Sequence, residues 1–576
     1  MLWIECGLIA VAVVLALTFP RLGERRFGRF EDALRKLAIR PTLCIVLIGV
    51  LALTIRAALL PVMPVPEPVV HDEFCYLLAA DTFAHGRATN PTHPMWMHFE
   101  TFGLIQQPTY QCIAQPAQGL MLALGQVVGE HPFWAVWLSA GLMCAAICWM
   151  LQGWLPAPWA LVGGLLAVLR IGTLSYWANS YWGGALAATG AALVLGALPR
   201  IRRSLRVRDA IWMALGLAIL ASSRPYEGFI FSLPIAIALF GWMFKTENRA
   251  SLRDSMSRVV LPICLVLVFA AAGLGFYSWR VTGNPSRLPY QVERQTYAAT
   301  PFFIWQSVPP QPVYRHAVMK QMYVGEELQS YKISRTPIGL MVKFVLAWTF
   351  YLGPVLSLPF LMLPIVLPVG FSWKALSANT RFLLMLFAVI VVGCALESFF
   401  FPHYASPSTG LVIAIVLIAI RQIRRWEWRA QPAGLFLTRA IAVICVLSFI
   451  LRIAAIPLHL PVPRSPVPAW YQQGPESFGR AAMVQRAQSM PGPQLVIVRY
   501  SPPHEPFEEW VYNDADIDHA KVVWARDMGD CQNRDLLTYF HQRKVWLLEP
   551  DKNRGTLTPY APSMADCTEL TREAQR

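Results

Sequence analysis

Long runs without charge constrain this chain most. Leu43 to Leu60, Val259 to Phe276 and Phe382 to Val392 are nearly free of ionisable side chains. Several such runs reach the roughly 18–20 residues that cross the hydrocarbon of a bilayer. Only 14% of the residues are charged and the mean hydropathy is +0.43, against roughly 25% charged residues in a soluble domain. A water-soluble fold has no interior large enough for that much apolar surface, so the chain reads as a polytopic membrane protein.

The net charge of +15 does not point to nucleic acid, because in a membrane chain the placement of Lys and Arg matters more than their sum. The segment from Arg21 to Arg40 holds seven basic residues, Arg200 to Arg208 five and Arg421 to Arg429 four. These segments, with 245–258, read as cytoplasmic. The stretch from Pro64 to His131 carries Arg87 as its one basic residue beside Glu67, Asp72, Glu73, Asp81, Glu100 and Glu130, and so reads as an outer loop.

About twelve spans put every basic loop on one side and return the C-terminus to the other, with the N-terminal apolar segment kept as a first helix rather than a cleaved signal. Pro337 to Gly370 is the weak place, where Gly353 and Pro354 split two apolar stretches; the first reads as interfacial or re-entrant. The expected organisation is an extra helix and basic segment over 1–40, a membrane domain over 41–456 with outer loops 64–131 and 281–337, and a small α/β domain over 457–576 outside the membrane. In that tail, 494–500, 521–525 and 544–548 read as strands and 536–542 as a helix. Helical spacing at 73–85 and 118–128 suits helices lying in the membrane interface. Cys75 and Cys112 share the first outer loop, and Cys531 and Cys567 share the tail; each set can pair in an oxidising compartment, though spacing alone does not show it. The tryptophans, Trp177 and Trp182 among them, are expected mainly in the interfacial aromatic belt.

His71, Asp72 and Glu73 follow the second span directly. Two adjacent carboxylates at an apolar boundary are costly and usually have a task, although Asp72 can equally cap a helix starting at Glu73. Read with its surroundings, His71-Asp72-Glu73-Phe74-Cys75-Tyr76-Leu77-Leu78-Ala79-Ala80 resembles the acidic pair and following helix of the GT-C membrane glycosyltransferases, of the protein mannosyltransferase and aminoarabinose transferase type. Gln115-Pro116-Ala117-Gln118-Gly119 and Phe401-Pro402-His403-Tyr404 resemble later features of that family. The N-terminal helix and Gln115-Pro116, in place of a double proline, depart from its pattern.

The resemblance, over roughly residues 41–420, implies a polyprenyl-phosphate sugar as donor and a glycan, lipid or protein as acceptor on the outer face of a bacterial inner membrane. It implies Asp72 as the base, with Glu73 orienting either Asp72 or the acceptor. Arg224, His403 and Tyr404 are the candidates for the donor phosphate. Arg224 and Glu227 can alternatively pair only with each other, and His403 can be a plain interfacial residue. No cofactor and no metal are expected, although His71, Asp72 and Glu73 are able to ligate a divalent ion. Competing readings are a transporter or lipid flippase, a non-catalytic binding module and a ligase that moves a whole glycan.

Overall fold

The computed structural model describes residues 2–244, 251–366, 373–455, 457–460, 477–502, 504–552 and 556–561. The pairing of Cys531 with Cys567 falls outside them on the side of Cys567. The protein is mainly α, a helical membrane bundle with a small α/β domain.

Among the described residues, eight helices are long and apolar enough to cross a membrane. They are Pro41–Ala58, Phe133–Trp154, Ala185–Ser204, Pro225–Met243, Leu252–Thr282, Ala378–Ala395, Ser406–Ile423 and Ala433–Ala455. The expected twelve spans are not reached by that measure. Leu2–Thr18 and Val207–Ser223 have 17 residues each and Ala157–Gly172 is likewise short, below the roughly 20 residues of a full span.

The ambiguous stretch is two helices, Pro337–Tyr351 and Gly353–Val366, bent against each other by 105°. Such a break frees carbonyls that lipid cannot satisfy. Arg170, from a neighbouring helix, supplies the donors: its Nη2 reaches Thr349 O at 2.8 Å and Phe350 O at 3.2 Å. Gly353 sits at φ 57°, and a Cβ there would meet Arg170 Nη2 at 2.5 Å, so the bend needs glycine both for its backbone and for the arginine.

At the C-terminal end of Pro41–Ala58, the buried Arg56 donates to Met63 O at 3.0 Å, Pro64 O at 3.3 Å and Ala178 O at 3.4 Å. This ties the exit from the span to the connection between Gly172 and Ala185. That connection folds inward rather than along the lipid interface. Trp177 is 1% and Trp182 6% exposed, and Trp177 packs on Phe350 and Tyr351. The aromatic-belt expectation therefore fails for both, because the loop packs into the bundle.

The segment 64–131 forms the helices His71–Ala84 and Pro116–Gly129, joined by a small antiparallel sheet and by a disulfide between Cys75 and Cys112. The segment 281–337, which lacks a readable pattern in sequence, holds Pro289–Tyr297, Ala317–Lys320 and Leu328–Ser334.

In the tail, Gln494–Val498, Val522–Arg526 and Lys544–Leu548 form a parallel sheet, edged by the antiparallel Leu557–Pro559. Its helix spans Asp530–Tyr539, upstream of the expected 536–542. Alternation along the strands explains the docking. Leu495, Ile497, Val523 and Ala525 join the cluster that contains Phe74 and Phe99 of the segment 64–131. Val496, Val498 and Trp524 instead face Met483 and Ala487 on the helix Ser477–Ser489. Both faces are covered, which a parallel sheet requires.

Candidate active site

The acidic pair occupies the first turn of His71–Ala84, where carboxylates favour the positive end of the helix dipole. Its two members have different surroundings. Glu73 is 1% exposed. Its Oε2 accepts from the N–H groups of Val69 at 2.9 Å and Val70 at 3.0 Å, and its Oε1 from the N–H of Tyr181 at 2.9 Å. Burial raises its carboxyl above the usual range and the three N–H groups pull it back only in part. With both oxygens committed to backbone, Glu73 fixes the helix start against the inward-folded loop.

Asp72 keeps a side chain 31% exposed. Its Oδ2 accepts from Trp182 Nε1 at 2.6 Å, and its Oδ1 lies 3.5 Å from His71 Nε2. Trp182 is held in turn by rings, with His403 at 4.9 Å and Phe401 at 5.0 Å between centroids. One oxygen of Asp72 is thus anchored by Trp182, and the other faces His71 on a side chain that stays partly exposed.

Arg224 lies between Val207–Ser223 and Pro225–Met243. Its guanidinium sits 4.5 Å over the ring of Tyr404 and 3.7 Å from Glu227 Oε1, within electrostatic reach of Tyr76 and Asp72. Contact with Glu227 is therefore only part of its environment. Tyr76 is one helical turn from Asp72, on the same face, and sequence reading passed it over. That spacing was the available signal.

His403 is 0% exposed. Its Nδ1 pairs with Tyr176 Oη at 2.9 Å, and burial together with Arg224 drives its pKa well below the ordinary value. The ring packs on Trp182 and Tyr404, and its Nε2 is buried without a partner among the described residues. The structure thus brings Asp72, Arg224 and Tyr404 within electrostatic reach of one another, with Glu73 and His403 packed against the same segments. Among the described residues, no three His, Cys, Asp or Glu side chains gather as a metal site.

An apolar groove of about 110 Å³ flanks the loop that carries His403 and Tyr404. It is lined by Phe344, Ala347, Phe387, Ile390 and Phe400, with Lys343 among its walls. It reaches Ala405 and Ser408, just past His403 and Tyr404, and its wall residue Tyr351 donates to Pro402 O at 2.9 Å.

The segment 281–337 contributes a further buried acid. Glu293 Oε1 accepts from Tyr323 Oη at 2.6 Å, while Oε2 is buried without a partner among the described residues. Burial raises its pKa to about 7, with Arg294 opposing and Glu327 and Asp72 adding to the rise. The native state then holds a proton that the unfolded chain releases near 4.5. The stability this contributes falls as the pH climbs from about 4.5, and the loss is complete above about 7. In Glu293→Gln, thermal unfolding and hydrogen exchange of 289–297 are expected to lose that dependence between pH 5 and 8. A variant as pH-sensitive as the wild type would remove Glu293 as its source.

No family model matches the sequence, and no curated protein matches it. Among solved structures, the chain is similar to ArnT from Cupriavidus metallidurans in the apo state, at 13% identity and a TM-score of 0.47 over 87% of this chain and 93% of that one. It is similar to ArnT from the same organism bound to undecaprenyl phosphate, at 14% identity and a TM-score of 0.47 over 89% and 96% of the two chains. The apo oligosaccharyltransferase of Archaeoglobus fulgidus is matched at 9% identity and a TM-score of 0.44, over 80% of this chain and 62% of that one.

Proposed function

We propose that this chain is a GT-C type membrane glycosyltransferase that moves a monosaccharide from a polyprenyl-phosphate donor to an acceptor at the outer face of a bacterial inner membrane, with the tail domain on that same face. One observation carries the reading. The carboxylate of Asp72, anchored by Trp182, lies within electrostatic reach of the guanidinium of Arg224 and of Tyr404, and an apolar groove flanks the loop that carries Tyr404.

In this reading the isoprenoid chain lies in the groove beside Phe344 and Phe387. Its phosphate meets Arg224 and Tyr404, and the sugar carbon faces Asp72. Asp72 takes the proton of the acceptor hydroxyl, and the acceptor oxygen bonds to the sugar carbon from the side opposite the phosphate. The bond to the phosphate oxygen breaks, with inversion, and the charge that grows on that oxygen falls under Arg224. Phosphate leaves as a stable anion, so the enzyme needs one base and a fixed cation rather than an acid. His403 and Glu73 are positioning residues here.

The test is transfer of labelled sugar from a panel of polyprenyl-phosphate monosaccharides by the purified chain in lipid nanodiscs, with detergent-extracted envelope material as acceptor. Transfer from at least one donor is expected; turnover of none would defeat the reading. Trp182→Phe keeps the ring stack on His403 and deletes the N–H held by Asp72. A hydrogen bond to a charged group contributes about 1.5–3 kcal/mol, so kcat is expected to fall about tenfold with donor binding kept. A rate equal to the wild type would exclude Trp182 from positioning the base.

A further inference from the structure

The helix Thr409–Ile423 carries the His403 loop at one end and Arg424 at the other, 15 residues or about 22 Å apart at 1.5 Å per residue. At that far end lies a second cavity, of about 290 Å³, separate from the groove beside the His403 loop. Its walls come from four membrane helices, with Trp159, Leu165, Leu417 and Ala442 among the lining. Its roof is the helix Glu24–Ala38, which turns Phe27, Phe30 and Leu34 toward it.

The polarity of this cavity is one-ended. Glu31, Arg35, Arg424 and Arg439 stand at the mouth, and the lining from Arg439 to Val446 turns apolar over seven residues, about 10 Å of helix. Glu31 binds both neighbouring arginines: Arg424 through Nη1 at 3.1 Å and Nη2 at 2.8 Å, Arg439 through Nε at 3.0 Å and Nη2 at 3.3 Å. Burial alone would raise this carboxyl, but the bonds from Arg439 and Arg424 hold it down to about 2. One carboxylate thus faces two guanidinium groups with five N–H donors each. Arg35, across the mouth, is 61% exposed and pairs at 3.2 Å with Asp32. The segments that supply the mouth carry the same sign, seven basic against three acidic residues over 21–40 and four against one over 421–429.

A cavity that is cationic at one end and apolar along its depth matches an amphiphile with an anionic head. We propose that it binds an anionic glycerophospholipid of the leaflet opposite Asp72, with one acyl chain between Trp159 and Ala442 and the phosphate on Arg424 and Arg35. The excess of guanidinium over carboxylate argues against a zwitterionic head, whose own cation would meet Arg439. The site does not depend on the reaction proposed at Asp72.

Native mass spectrometry of the full chain, purified from nanodiscs of equal phosphatidylglycerol and phosphatidylcholine, tests this directly. The wild type is expected to retain one phosphatidylglycerol after delipidation. Arg424→Ala, which leaves Glu31 paired with Arg439, is expected to retain it about tenfold less. Ala442→Phe, which fills the cavity from the apolar side, is expected to lose it while keeping the wild-type thermal unfolding. Equal retention of the two lipids by the wild type would overturn the proposal. So would undiminished phosphatidylglycerol retention in both variants, or displacement of the lipid by added undecaprenyl phosphate at equal concentration, which would name a different occupant.

Discussion

Asp72→Asn is expected to transfer sugar on the order of 10²–10⁴-fold more slowly than the wild type, the range by which a positioned general base accelerates a reaction. The substitution keeps the shape of the side chain and an oxygen for Trp182 Nε1, which now lies 2.6 Å from Oδ2. What it removes is the capacity of the other oxygen to take a proton. Donor binding, set by Arg224 and the groove, is expected to stay within a few-fold. Titrating a fluorescent polyprenyl phosphate against both proteins, beside single-turnover transfer, separates the two quantities. An active wild type matched by Asp72→Asn would show that another group removes the acceptor proton.

Glu73→Ala carries the largest expected effect on stability. It strips the N–H groups of Val69, Val70 and Tyr181 of their shared acceptor, the last of them buried and the first two partly buried. Each buried donor left unpaired costs about 1–3 kcal/mol, so a loss of roughly 3–5 kcal/mol is expected. Glu73→Gln, which keeps one oxygen, should lose less. Unfolding of both variants in detergent, followed by circular dichroism, measures the order. Wild-type stability in Glu73→Ala would mean that the three N–H groups find other partners and that the residue is no anchor.

The contrast between these neighbours shows where sequence reading stops. Both carboxylates stand out at an apolar boundary, and the resemblance assigned the base to one and an orienting role to the other. Their difference comes from the connection between Gly172 and Ala185, more than a hundred residues away, which folds inward to bring Tyr181 to one and Trp182 to the other. No local pattern encodes such a contact. For the same reason Trp177 and Trp182 were expected at the lipid interface, where isolated tryptophans of membrane chains commonly lie.

Periodic apolar runs made the long helices legible, and the expected strands of the tail lie close to those found, because a parallel sheet covered on both faces leaves continuous apolar stretches. The segment 281–337 was not legible. Pro289–Tyr297 has only nine residues, and the helical run 317–334 is interrupted by the π-helical stretch Gln321–Glu327, which breaks the 3.6-residue period. Glu293 was hidden with them, since only tertiary packing buries it. His403 was visible as a motif but not as an enclosed ring; its partner Tyr176 stands 227 residues away.

The docking of the tail reaches the helix of the acidic pair. Tyr512 stacks on Phe74 with ring centroids 4.1 Å apart, two residues from Asp72. The N–H of Ala515 donates to Asp81 Oδ2 at 2.9 Å, and Phe507 lies 6.1 Å from His71. A chain cut after Ala455 would leave the helix of the acidic pair bare along one side, with Phe74 and Asp81 returned to water. Loss of activity on such a truncation would then be no evidence that the tail recognises a substrate, because the cut also removes a wall from the helix that holds the base.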